Sequence, residues 1–385
     1  IPVCPLLSNY LCYFVTGCFD AQNSDVPPYE ALQLRAPSPH GVDRYLEQIN
    51  PMRAAREVRA QVLSVHRETG GEHPVATITL QPTSTWRGHR AGQYVQVGVD
   101  LPGSRRTTRC FTISSAASLP GETITLTVRA QGEARPGQSV SRWLVERAQP
   151  GDIVHLSQAE GDFVLEESPA TPTNNHLLFL TGGSGITPAM SILRTLLRDG
   201  YDGRAGRRVT FLHYARSAED QIFADELAGI AAADNDVDVV LRHGSVFSEF
   251  ELRRLVPAYA ETDTWACGPG PMLDLVREAY ADSTRLRTEL FNVASVVPSG
   301  AAEGDVAFSR AGKQAANTGA TLLEQAEALG LRPTSGCRMG ICFSCTATKS
   351  SGTVRNVLTG EESSLPDEEV RVCVSAPVGD CVVDL

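Results

Sequence analysis

The chain has 385 residues, 42% of them hydrophobic and 21% charged, with a formal net charge of −11. That length suits two or three domains rather than one small core, and the composition excludes a disordered or membrane-embedded chain. The acidic balance argues against nucleic acid as the main partner, because phosphate binding wants a basic face. No apolar run approaches the roughly 18 residues of a membrane span.

Residues 1–40 resemble nothing that follows. Leu6–Phe19 is apolar but interrupted by Ser8, Asn9, Thr16 and Gly17, and no Lys or Arg precedes it, which argues against a signal peptide. With its first Met at Met52, the stretch reads as a leader or as sequence from upstream of the start. Pro27, Pro28, Pro37 and Pro39 mark a linker. Residues 1–55 as a whole are expected to be a poorly ordered leader.

Over residues 56–170, short alternating or β-branched runs are separated by Gly and Pro. They are Val58–His66, Val75–Leu80, Tyr94–Val99, Arg109–Ile113, Thr123–Arg129 and Asp152–Leu156, with one helical stretch at Val140–Ala148. This pattern predicts an antiparallel β-barrel. Over residues 171–292 the rhythm changes to strands alternating with helices. His176–Thr181 precedes helix Pro188–Asp199, and Arg208–Tyr214 precedes Ala218–Ala232. Asp236–Arg242 precedes Glu249–Val256, and Thr264–Cys267 precedes Pro271–Ala281. Such alternation predicts a parallel, Rossmann-like α/β sheet covered on both faces. Thr187 is placed to cap the first helix with Pro188 at N1 and Gly200 beyond its end, and Ser217 to cap the second, with Glu219 and Asp220 in its first turn. Residues 293–303 form a linker. Residues 304–385 show a strand at Val306–Ser309, a helix at Thr321–Leu329, a cysteine loop, and strands at Glu369–Val374 and Cys381–Leu385.

Four of the ten cysteines are grouped near the C-terminus. Cys337 to Cys342 is C-x4-C, Cys342 to Cys345 is C-x2-C, and Cys373 follows on a predicted strand. This is the plant-type [2Fe–2S] spacing. Gly336 and Gly340 let the backbone close on a cluster so that its N–H groups face the sulfurs. A structural zinc site would pair its cysteines differently, as two C-x2–4-C hooks. The segment 303–385 resembles plant-type ferredoxins, which implies a β-grasp fold and cluster ligation by all four cysteines.

Two glycine-rich loops occupy strand-to-helix turns. The first is Gly182-Gly183-Ser184-Gly185-Ile186-Thr187, and the second Cys267-Gly268-Pro269-Gly270-Pro271-Met272. Glycines admit a pyrophosphate to the backbone, and a helix start supplies N–H donors. Together the loops resemble the nicotinamide-binding half of the ferredoxin–NADP reductase superfamily. The resemblance implies nucleotide contacts from Gly182, Gly183, Ser184, Gly185, Thr187, Gly268, Pro269 and Met272, and it places Cys267 near the reacting nicotinamide carbon. Arg216 and Ser217 follow the second strand, where a 2′-phosphate would be read. No acidic residue at the strand end favours a free ribose, so NADPH is preferred and NADH stays open.

In the barrel region, Arg109-Cys110-Phe111-Thr112-Ile113-Ser114-Ser115 resembles the flavin motif of the same superfamily, with Phe111 where Tyr is common. The resemblance implies that Arg109 neutralises a flavin phosphate, Phe111 lies against the ring system, and the Thr112 hydroxyl approaches flavin N5. Gly137-Gln138-Ser139-Val140-Ser141 resembles the turn that holds the flavin pyrophosphate, with Arg129 close to it in sequence; a diphosphate site favours FAD over FMN.

Barrel, nicotinamide unit and ferredoxin unit in this order resemble reductase components of oxygenase and desaturase systems, and the flavin and nucleotide segments resemble actinobacterial fatty-acyl desaturase reductases. The implied activity is NAD(P)H oxidation, with electrons passing through FAD and the [2Fe–2S] cluster to a partner. That partner is a membrane di-iron desaturase or hydroxylase, or alternatively a soluble ring-hydroxylating oxygenase. The implied location is cytoplasmic, at the inner membrane face through the partner. An iron–sulfur redox sensor without turnover is a reading of a different class. The presence of Thr112, Cys267 and both glycine loops weighs against it.

Overall fold

The structure, a computed structural model, describes residues 43, 46, 49–101, 106–131, 139–165, 171, 174–289, 302–336, 338, 340 and 344–385. Three sheets follow one another along it.

The first sheet holds β1 (Val58–Thr69), β2 (Val75–Pro82), β3 (Tyr94–Val99), β4 (Thr107–Thr112), β5 (Ile124–Arg129) and β6 (Ile153–Leu156), with helix α1 (Val140–Glu146) packed against it. The spatial order is β4-β3-β6-β1-β2-β5. A bridge from Ile113 to Leu126, extended by Ser114 N–H donating to Thr125 O at 2.8 Å, joins the two edges. Closure buries the inward-facing Val62, Ile78, Leu80, Val95, Val97 and Leu126 and leaves no open edge there. The expected barrel is therefore present. The described part of the leader is packed against it. Arg59, 1% exposed, donates to Pro51 O at 3.0 Å and to Asp43 O at 3.4 Å.

The second sheet is wholly parallel, in the order β11-β10-β7-β8-β9. Its strands are β7 (His176–Gly182), β8 (Arg208–Ala215), β9 (Val237–His243), β10 (Asp263–Cys267) and β11 (Leu286–Glu289). Helices α2 (Ile186–Asp199), α3 (Ala224–Ala232), α4 (Glu249–Leu255) and α5 (Gly270–Ala279) connect them. Two apolar clusters, one including Phe179, Phe211 and Trp265 and the other Leu180, Leu212 and Leu273, account for the continuous hydrophobic runs.

Three expectations are corrected here. Helix α2 starts at Ile186 with Gly185 as its cap, because Gly183–Gly185 already forms a 3-10 turn that feeds it. Thr187 lies inside the helix, and its hydroxyl donates back to Ser184 O at 3.2 Å. Helix α3 begins at Ala224, since Phe223 sits at φ 59 and interrupts the backbone. Ser217 therefore caps only a local turn, accepting from Asp220 N–H at 3.3 Å.

The third sheet is mixed, in the order β13-β12-β17-β14-β15, with β16 also on β14. It comprises β12 (Asp305–Phe308), β13 (Lys313–Ala316), β14 (Thr346–Asn356), β15 (Glu362–Ser363), β16 (Glu368–Arg371) and β17 (Ser375–Val383). Helix α6 (Leu322–Ala328) crosses it, its start fixed by a capping box between Thr321 and Glu324. Cys373 lies in the turn between β16 and β17 rather than on a strand, where Val374 N–H donates to Arg371 O at 3.0 Å.

Candidate functional site

The nucleotide end forms where β7 and β10 run side by side. The order of connection reverses between these central strands, and a doubly wound sheet opens a crevice at such a point. In register, Cys267 faces Thr181, so the two glycine loops meet. A Cβ on Gly185 would lie 2.3 Å from Cys267 O, and one on Gly182 would lie 2.7 Å from Met272 Sδ. The carbonyl leaves no room for a side chain at Gly185, and one at Gly182 would have to displace Met272. Gly268 is tight but less so, its Cβ direction ending 3.1 Å from Gly182 N. A cavity of ≈ 530 Å³ opens beside the loops, lined in part by Arg129, Gly183, Arg216, Pro269 and Met272. The structure thus gathers these residues from the barrel and from three strand ends. Arg129 is half-buried, and burial followed by the nearby Arg216 lowers its pKa. Arg216 itself is largely exposed and paired with Asp220 at 3.3 Å, so any ligand phosphate competes with that carboxylate.

Cys267 has no exposed surface, and burial pushes its thiol well above the ordinary range. Its neighbours in register are Thr181 on one side and Glu289 on the other. Glu289 was not legible in the sequence. Its Oε2 is buried without a hydrogen-bond partner among the described residues, and burial pushes the carboxyl up to about 8. Thr181 Oγ1 bonds His213 Nδ1 at 2.8 Å, and burial lowers His213 to about 3. Burial therefore works against the charged form of thiol, carboxyl and imidazole alike. The barrel contributes a second residue that the sequence did not flag. His73, between β1 and β2, lines the same cavity with a buried Nδ1 that has no partner among the described residues.

At the flavin end, Arg109, Phe111 and Thr112 all lie on β4. Thr112 is buried and pairs in register with Tyr94 of β3, and Phe111 packs on the barrel core. Arg109 donates to Thr108 O at 2.8 Å and makes no ion pair among the described residues. Burial, then the neighbouring Arg338, lowers it to about 10. A desolvated cation of this kind suits an anionic group such as a flavin phosphate. Ser139 caps α1 and Ser141 lies in its first turn, with their hydroxyls 3.0 Å apart. Both hold Gln131: Ser139 Oγ donates to its carbonyl at 3.0 Å, and Ser141 Oγ accepts its N–H at 3.1 Å. Val140 is buried beneath them. Gly137 lies outside the described residues.

Cys345 and Cys373 are each 3% exposed and are not joined in a disulfide. Val372 N–H donates to Cys345 O at 3.1 Å, tying the two turns together. Cys337 and Cys342 lie outside the described residues. Around them, Gly340 has φ +75 and no room for a side chain, a Cβ there falling 2.8 Å from Val374. Arg371 donates to Gly340 O, and Arg338 forms an ion pair with Glu327 of α6. Two buried thiols on adjoining turns, held by backbone contacts, are a donor set suited to iron.

Arg129 of the barrel and Gly183 of the nucleotide loop line one cavity, and the charges of Arg338 and Glu327 in the ferredoxin unit act on Arg109 of the barrel.

Comparison with known proteins agrees with this arrangement. Residues 309–378 match the 2Fe-2S iron-sulfur cluster binding domain, and residues 179–278 the oxidoreductase NAD-binding domain. The chain belongs to the ferredoxin–NADP reductase family of NAD(P)H oxidoreductases that carry a C-terminal [2Fe–2S] domain, with the cluster and NAD(P)H as cofactors. It is 38% identical over 371 residues to an NADPH oxidoreductase of Mycobacterium tuberculosis, covering 93% of each chain. It is 32% identical to the NADH oxidoreductase HCR of Escherichia coli, over 83% of this chain and 96% of that one. The stachydrine N-demethylase reductase subunit of Rhizobium meliloti is 29% identical, over 79% of this chain and 90% of that one. Among solved structures, phthalate dioxygenase reductase shares the fold with a TM-score of 0.57 at 22% identity, covering 86% of this chain and 98% of that one.

Proposed function

We propose that this chain is the reductase of an oxygenase system and that its partner is a membrane di-iron fatty-acyl desaturase or hydroxylase. Bound FAD would supply two-electron acceptance and one-electron release, and the [2Fe–2S] centre one-electron transfer onward to the partner. The chain's residues position and tune; no acid–base dyad is needed. Gly182, Gly183, Gly185 and Gly268 admit the dinucleotide to the backbone, with Ser184 and Thr187 shaping the turn and Pro269 and Met272 walling it. Cys267, kept neutral by burial, lies under the nicotinamide and offers it no competing charge. Arg216 and Ser217 read the 2′-phosphate of NADPH. Arg109 neutralises the flavin phosphate, Phe111 supports the ring, Thr112 orients its reacting edge, and Gly137, Ser139, Val140, Ser141 and Arg129 hold the diphosphate. Cys337, Cys342, Cys345 and Cys373 ligate the cluster.

The observation that carries this reading is the cavity that Arg129 of the barrel shares with both glycine loops, Gly182, Gly183, Pro269 and Met272 among its lining. The oxygenase partner is supported by the relatives that are reductase subunits of a demethylase and of glycine betaine monooxygenase. The desaturase is supported by the resemblance of the flavin and nucleotide segments to actinobacterial desaturase reductases. No helix among the described residues is long and apolar enough to cross a membrane, so in this reading the chain meets a membrane through its partner, on the cytoplasmic side. Reconstitution tests the reading. Purified holoprotein with NADPH should drive product formation by an acyl desaturase in phospholipid vesicles, with kcat/KM for NADPH above that for NADH. Turnover with a soluble ring-hydroxylating oxygenase and none with the desaturase would replace the partner. Bound flavin that neither nucleotide reduces would remove the enzyme reading.

A further inference from the structure

One stripe of α2 is polar and lies against the barrel, from buried Ser191 to exposed Arg198. Ser191, Arg194, Thr195 and Arg198 recur at i, i+3, i+4 and i+7, which places them on one stripe. All four grip the backbone of one short barrel segment. Ser191 Oγ donates to Ser115 O at 2.6 Å and accepts Gly92 N–H at 3.2 Å. Arg194 Nη1 donates to Ser114 O at 2.5 Å. Thr195 Oγ1 accepts Ala117 N–H at 2.9 Å, and Arg198 donates to Ala117 O.

The two ends of this link matter. Helix α2 starts directly at the first glycine loop, and the gripped segment 114–117 is the continuation of β4 just beyond Thr112. A rigid helix of a few turns therefore connects the nucleotide turn to the end of the flavin strand. Arg194 is the keystone of the stripe. Its Nε and Nη2 engage both oxygens of Glu226 on α3, at 2.8 and 2.5 Å, and its guanidinium lies 4.5 Å from the centre of the Phe223 ring. Phe223 N–H in turn donates to Glu68 Oε2 of β1, at 3.3 Å. Only a planar fork can meet a carboxylate, a carbonyl and a ring face together; an ammonium cannot.

We propose that this face of α2 sets the spacing between hydride donor and acceptor, and that Arg194 is its principal positioning residue. The inference rests on the reading that hydride passes from nicotinamide to flavin at this junction. Arg194 touches neither ligand in this reading. It acts through Ser114 O, and small displacements at a reacting centre are costly in rate.

The test compares wild-type holoprotein with Arg194→Lys and Arg194→Gln. Flavin and cluster absorbance should be retained, and NADP+ affinity should change by less than about threefold, since the loops are untouched. Single-turnover flavin reduction by NADPH should slow roughly tenfold to a hundredfold. Hydrogen exchange in the segment 113–118 should quicken. Ser191→Ala, a milder cut in the same stripe, should slow reduction a few-fold and serves where the Arg194 variants do not fold. Reduction within twofold of wild type in the folded variants overturns the proposal while leaving the hydride reading intact, as does a rate that falls only in proportion to lost flavin. A wild-type flavin that neither NADPH nor NADH reduces overturns both.

Discussion

The nicotinamide and ferredoxin regions both bury cysteine sulfur beside a strand end, and they use it in opposite ways. Cys267 closes β10 between Thr181 and Glu289, and burial, with the Glu289 carboxyl beside it, holds it as a thiol. Cys345 and Cys373 sit on facing turns whose backbone is stitched together, with Arg338 and Arg371 holding the loop between them. Burial without a cation keeps a sulfur neutral, as a nicotinamide pocket needs. Converging sulfurs on glycine-shaped turns give a metal its thiolates. The same residue type thus serves as inert wall or as ligand according to what faces it.

The sharpest way to break that contrast is Cys373→Ser. It should abolish cluster absorbance and cytochrome c reduction while ferricyanide reduction, fed from the flavin, continues; retained cluster absorbance would count against ligation by Cys373. Cys267→Ala should leave the cluster spectrum unchanged and slow stopped-flow flavin reduction by roughly tenfold to a hundredfold. Arg216→Ala should raise KM for NADPH about tenfold, the worth of a charge-assisted hydrogen bond, and leave KM for NADH unchanged. An equal effect on both nucleotides would remove Arg216 as the reader of the 2′-phosphate.

The smallest effect concerns Glu289. Burial raises its carboxyl from 4.5 to about 8, so the folded chain holds a proton that the unfolded chain releases within that window. This contribution to stability is full below about pH 4.5 and is lost as pH rises through about 8. Melting temperature measured from pH 5 to pH 9 should therefore fall more steeply for wild type than for Glu289→Gln. Parallel curves would show that Glu289 titrates normally.

Much of this arrangement was legible in the residues. The strand Tyr94–Val99 appears with the expected bounds, and both glycine loops end the strands assigned to them. What escaped has identifiable causes. Strand β11 has only four residues and no apolar run, so the sequence assigned no strand there, and the burial of Glu289 comes from tertiary packing. Strand β14 is polar in composition. Its Lys349 is completely buried, with the ammonium donating to the carbonyls of Gly352, Ser363 and Leu365, a solution visible only once the turn is folded. The late start of α3 depends on one left-handed residue, Phe223, which is an unusual choice for that conformation.

The edge strand β11 also bears on modular exchange. Among the described residues it is the last element before the ferredoxin unit, and its final residue lies beside Cys267 in the parallel sheet. A chimaera that grafts a foreign electron carrier after residue 289 keeps the pocket whole. A crossover only a few positions earlier would remove an outer strand together with the acid next to the thiol, so swapping carriers is structurally cheap on one side of Glu289 and ruinous on the other.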